Sequence, residues 1–185
     1  MARWISILAH PFVTAGVTVV VSGVQLAGPA RAGRSLLLVG GLALAPVAWL
    51  MYRQVRRGHW RDVDASRAHE RPALFAVGLA GLAGVLVYLR LTDPASYLVG
   101  GVGAVGGMLL VSAGVTRRLK ISLHMAFAAF ASTTLLWLGS PAGWVLLAVV
   151  PALAWSRLAL GRHRPLEVAA GVALGALAAA VARLL

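Results

Sequence analysis

Residues 96–115 read SYLVGGVGAVGGMLLVSAGV, 20 positions without one charged side chain. A helix of that length rises about 30 Å, the hydrocarbon thickness of a bilayer. Similar apolar runs recur at 12–28, 35–52, 73–91, 121–138, 143–158 and 166–184, separated by short polar or Pro/Gly breaks. Bilayer hydrocarbon satisfies no backbone polar group, and no period-two alternation supports a barrel, so the runs are expected to be helical. The fold expected is all-α: a polytopic membrane bundle of about seven transmembrane helices, or six, forming one domain over residues 1–185.

Composition agrees. The 185 residues are 60% hydrophobic and 12% charged, with a mean hydropathy of +0.86, whereas soluble domains carry about 25% charged residues. This excludes a disordered chain and argues against a water-soluble globule. The absence of cysteine excludes a disulfide framework, a thiol nucleophile and a Cys-ligated metal. The net charge of +12 lies between the apolar runs rather than on one solvated face. It therefore suits membrane lipids and an anionic substrate, and no nucleic-acid partner is expected. The localisation expected is an integral protein of a bacterial or archaeal cell membrane.

Arg3 and Ala30-Arg31-Ala32 flank the first run as in a signal peptide. The run is longer than the roughly 7–15 residues of a signal-peptide core, so it reads as an uncleaved span. Trp49, Tyr52, Tyr88, Tyr97, Trp137, Trp144 and Trp155 fall near run ends, where amphipathic rings anchor helices at the interface. Gly100, Gly101, Gly103, Gly106 and Gly107 are expected to allow close helix packing.

Seven spans put three polar joins on the side of the N-terminus: RQVRRGHWRDVDASRAHERP (53–72), TRRLKISLH (116–124) and SRLALGRHRPLE (156–167). In the third, Pro165 suits a first helical turn, which places His163 just before the helix and Glu167 within reach of its imidazole. A carboxylate there fixes the tautomer and makes the other nitrogen a better nucleophile. Arg157 offers a permanently charged planar fork that suits phosphate oxygens. In the second join, Lys120, Ser122 and His124 open a helix whose first amides offer an anion site, with His124 able to act as a general acid. The first join ends in Arg67, Glu70, Arg71 and Pro72, which alone reads as an ordinary basic juxtamembrane loop. The other two joins also admit a bland reading, as interfacial charges neutralised by headgroups. His59, His69, Asp62 and Asp64 have no recognised metal-ligand spacing, so no metal and no cofactor is expected.

These segments resemble the signatures of the type 2 phosphatidic acid phosphatase superfamily of integral-membrane phosphatases. Ser156, Arg157, His163, Pro165 and Gly171 match its third signature, S-R-x5-H-x3-D, with Glu167 in place of Asp. Ile121-Ser122-Leu123-His124 resembles P-S-G-H, and Arg71-Pro72 ends a K-x6-R-P pattern in which Asp64 stands where Lys is usual. The resemblance implies metal-independent hydrolysis of a lipid phosphomonoester or diphosphate, such as a polyprenyl phosphate or phosphatidate. It casts His163 as nucleophile, Glu167 as its orienting carboxylate and His124 as the acid. Arg157, Arg71, Lys120, Ser122 and Ser156 would hold the phosphate, with Lys120 supplying the cation lost at Asp64.

Two further classes are compatible with the residues: a catalytically degenerate protein that binds anionic lipid, and a small transporter. The second is disfavoured because the span centres lack ionisable groups. Thirteen of the 17 cations fall on the motif side: Arg3, six arginines over 53–71, three cations over 117–120 and three arginines over 157–164. The positive-inside rule places that face in the cytoplasm.

Overall fold

A computed structural model describes all 185 residues, with helices and no strands. The helices are α1 (Ala2–Leu8), α2 (Pro11–Ala27), α3 (Pro29–Val39), α4 (Ala45–Arg56), α5 (Arg71–Thr92), α6 (Leu98–Val115), α7 (Leu123–Trp137), α8 (Pro141–Ala159) and α9 (Pro165–Leu184). Six segments are long and apolar enough to cross a membrane. The helix α7 is apolar but has 15 residues, a rise of about 22 Å, short of a full hydrocarbon core.

Proline sets several boundaries. Pro11, Pro29, Pro141 and Pro165 stand in first turns, where the missing N–H costs nothing. Pro46 lacks the donor that a regular helix needs, and α3 joins α4 through a π-helical turn, Gly40–Leu44, just before it. The first apolar run begins earlier than its hydropathy suggests, because α1 precedes it and the chain breaks at His10-Pro11.

The packing order explains how remote segments meet. Going round the bundle, α2, α3–α4, α5, α6, α9 and α7 each contact the next, and α7 closes the ring on α2. Outside it, α8 packs on α7, and α1 lies against α8. The tightest seam, α7 on α9, depends on Gly171 and Gly175, four residues apart on one face. A Cβ at Gly171 would stand 2.6 Å from the Ser122 carbonyl oxygen, and one at Gly175 would overlap the Ala126 carbonyl. This is the small-xxx-small packing of membrane helices.

The α6 glycines do not follow the expectation. Only Gly100 is tightly packed, against the Ala182 carbonyl, whereas a Cβ at Gly101, Gly103, Gly106 or Gly107 would meet open space. Of the seven expected anchors, Trp49, Tyr52, Tyr88, Trp137, Trp144 and Trp155 are exposed. Tyr97 instead turns inward and donates to the Val19 carbonyl at 3.3 Å.

Candidate functional site

The polar segments converge at one end of the ring. The Ser122 N–H donates to the Glu167 carbonyl at 3.1 Å, which ties the start of α7 to the first turn of α9. Lys120 Nζ donates to the carbonyls of Ser66 at 3.0 Å and Arg162 at 2.7 Å. One ammonium thus clasps the loops before α5 and α9 to its own. Arg162 adds a second clasp through Asp62 and Ser66. Burial lowers the Lys120 pKa against the pull of Glu167, and Arg71, Arg157 and Arg162 lower it further.

His163 is held in one tautomer. Its Nδ1 lies 2.9 Å from Glu167 Oε2 and 3.1 Å from the Lys120 carbonyl oxygen. A carboxylate and a carbonyl both accept, so the proton resides on Nδ1 and the Nε2 lone pair is free. Glu167 keeps this position because it also accepts from the Arg164 N–H at 3.2 Å, the reach-back of an N3 glutamate at a helix start. Burial drives the His163 pKa down to about 2, with Arg157, Arg71, Lys120 and His124 adding to the effect. The ring is neutral at any physiological pH.

Arg157, on α8, is 2% exposed. Its Nη1 donates to Asp64 Oδ2 at 2.9 Å and to Ser6 Oγ. Asp64 owes its position to an unusual turn. Ala65 is fully buried beside Trp60 and Met51 with φ of 47°, a left-handed conformation that a non-glycine residue holds only when packing demands it. Arg71 opens α5 behind Glu70, whose carboxylate accepts from the Arg61 and Arg67 amides. Arg71 Nη1 donates to the Ile121 carbonyl at 2.8 Å.

His124 faces the same space. Its Nε2 is 3.9 Å from Asp64 Oδ1, and its ring meets that of His10 edge-on at 5.1 Å. His10 was not singled out from the sequence, since it falls just outside the first apolar run. Its signal was the His-Pro pair, which caps α2: Nδ1 accepts from the Phe12 N–H at 3.2 Å. His10, Asp64 and His124 offer ligand atoms within 4.8 Å of one another, the disposition of a small metal centre. However, with Nδ1 accepting, neutral His10 carries its proton on Nε2 and has no second lone pair to donate. Arg157, whose Nη1 holds Asp64, further opposes a cation there.

Of the eight residues proposed from the sequence, His163, His124, Arg157 and Arg71 line one cavity of about 400 Å³, together with Asp64 and His10. Glu167 stands behind His163 as its acceptor. Lys120 braces the loops with two of its three N–H donors, leaving one. Ser122 joins through its backbone, and its hydroxyl is buried without a partner. Ser156 points elsewhere, its hydroxyl donating to the Ala2 carbonyl at 2.6 Å, where it fastens α1.

Arg71 Nε, Arg157 Nε, Ser122 Oγ and His124 Nε2 are all buried and unpartnered. Each such group costs about 1–3 kcal/mol when nothing satisfies it. All four lie in the three converging segments. No protein-family model, curated protein or solved structure matches the chain.

Proposed function

We propose that this protein is a membrane phosphatase that hydrolyses a lipid phosphomonoester or diphosphate through a phosphohistidine at His163. The observation that carries the reading is the His163 tautomer: two acceptors on Nδ1 leave Nε2 as a free nucleophile, beside buried guanidinium donors lacking partners. In the first step Nε2 attacks phosphorus, an N–P bond forms and the P–O bond to the lipid breaks. His124, which takes up a proton as the charge of the phosphate arrives beside it, passes that proton to the departing oxygen. In the second step water attacks phosphorus, the N–P bond breaks, and the water's proton returns to His124. Glu167 stabilises the charge that develops on the imidazole. Arg157 and Arg71 hold the equatorial oxygens, with Lys120 contributing its remaining N–H. Phosphoryl transfer needs mainly this positioning and charge stabilisation.

A second reading, an anionic-lipid binder without turnover, draws on Asp64. A carboxylate stands beside Arg157, where a phosphate would seek the same donors. The test is phosphate release by purified protein from a panel of lipid phosphates in EDTA, with His163→Ala as the comparison. Turnover that survives chelation and is lost in His163→Ala supports hydrolysis. Retained lipid binding with no turnover in either protein supports the second reading. The excess of cations on the motif face favours a site facing the cytoplasm.

A further inference from the structure

The cavity that holds the charged cluster does not stop there. Beyond His124 it continues between Val47, Gly78, Val105 and Phe130, and it reaches Tyr97, Thr134, Trp137 and Arg183. His124 and Trp137 both line it, and the stretch of α7 between them rises about 20 Å. The helices that bound it are the closed ring of α2, α3–α4, α5, α6, α9 and α7, so it is a lumen inside the bundle. Of its 36 lining residues, 23 are hydrophobic, so below the charged end the walls suit hydrocarbon rather than a hydrated solute. The cavity of about 400 Å³ thus runs along the helices as well as across the charged end. At the far end the Arg183 guanidinium lies 5.4 Å from the centre of the Trp137 ring and narrows the opening.

We infer that the lumen holds an aliphatic chain, straight or isoprenoid, of a lipid phosphate whose headgroup sits among His163, Arg157 and Arg71. The headgroup end of this inference rests on the phosphatase reading; the chain end rests on the lumen alone. Chains shorter than the lumen leave apolar wall uncovered, so turnover rises with chain length until the far end is reached. Gly101 lines the lumen and its missing Cβ faces open space, whereas Gly107 of the same helix is exposed on the outside. Gly101→Phe therefore obstructs the passage, and Gly107→Phe controls for a bulky ring in α6.

The experiment uses the full chain in nanodiscs. Phosphate release is compared for butyl, octyl and hexadecyl phosphate and geranylgeranyl phosphate. In parallel, hexadecyl phosphate carrying a diazirine at its terminal carbon is photolysed on the protein and the labelled peptides are mapped. The expected result is a kcat/KM for hexadecyl phosphate roughly tenfold or more above that for butyl phosphate, in keeping with burial of the added apolar surface. Label falls at Thr134–Leu138 or Arg183. Gly101→Phe loses both the chain-length preference and the label; Gly107→Phe keeps both. The ratio of geranylgeranyl to hexadecyl phosphate turnover tells whether the chain is isoprenoid or straight. Equal turnover of butyl and hexadecyl phosphate, or label on α1 or α8 outside the ring, overturns the inference. Label at the far end with no phosphate released from any substrate upholds the lumen and overturns the phosphatase reading instead.

Discussion

The Asp64 carboxylate lies 2.9 Å from the Arg157 guanidinium across 93 residues of sequence, with both side chains largely buried. A phosphate that reaches Arg157 must share it with Asp64 or displace it. Asp64→Asn removes the competing charge and is expected to lower the inhibition constant for inorganic phosphate about tenfold, since charged pairs dominate such contacts. It also leaves Arg157 buried without a counter-charge, at a cost to stability of about 3 kcal/mol. Added phosphate should then recover more thermal stability in the variant than in the wild type. Inhibition titrations and melts with and without phosphate check both, and weaker phosphate binding in the variant would mean that Asp64 assists the site.

Glu167 both orients His163 and caps the start of α9. Glu167→Ala is expected to cut kcat on the order of a hundredfold, a usual cost of losing acid–base support, with little change in KM. Glu167→Asp, one methylene shorter, should recover part of the rate. A loss confined to KM would assign Glu167 to substrate binding.

Gly171 sets the distance between the two histidine-bearing segments. Gly171→Ala puts a methyl 2.6 Å from the Ser122 carbonyl, so α7 and α9 must separate. The expected destabilisation is about 1–3 kcal/mol, and activity falls further than stability because His163 and His124 move apart. Thermal melts beside rate measurements test this, and Gly114→Ala, which meets nothing within 4 Å, is the control.

The pH dependence of stability follows from His163. Its pKa is about 2 in the folded chain against 6.5 unfolded, chiefly because the ring is buried. Below 6.5 the unfolded chain takes up a proton that the folded chain refuses. The full contribution is therefore present above 6.5 and is lost progressively as pH falls toward 2. His163→Gln should flatten part of the acid limb in thermal melts between pH 6.5 and 4. Identical acid limbs in the two proteins would contradict the buried neutral ring.

Hydropathy and proline placement make most of the fold legible. The runs at 73–91, 96–115 and 166–184 correspond to α5, α6 and α9 within two residues. The π-turn at Gly40–Leu44 and the short helix α1 were not legible, since the first depends on one missing donor and the second is held by contacts from residues 156 and 157. The His163–Glu167 pair was readable because Pro165 marks the first turn of α9, which sets His163 just before the helix and Glu167 within its reach. The partners of Ser156 and Lys120 were not: all three are backbone carbonyls more than 40 residues away, and backbone acceptors leave no signature in side-chain pattern. His10 was missed for a similar reason, since only the packing of α2 on α7 brings it to His124.

In the proposed reaction His163 takes the phosphoryl group onto Nε2. The most direct measurement is to mix purified protein with a lipid phosphate radiolabelled at phosphorus, quench in alkali within the first turnover, and map the label by peptide mass spectrometry. An acid-labile, alkali-stable phosphate is expected on His163, absent from His163→Ala and accumulating in His124→Ala when the leaving group needs no proton. Phosphate released in the first turnover with no label on His163, or label on another residue, would contradict it.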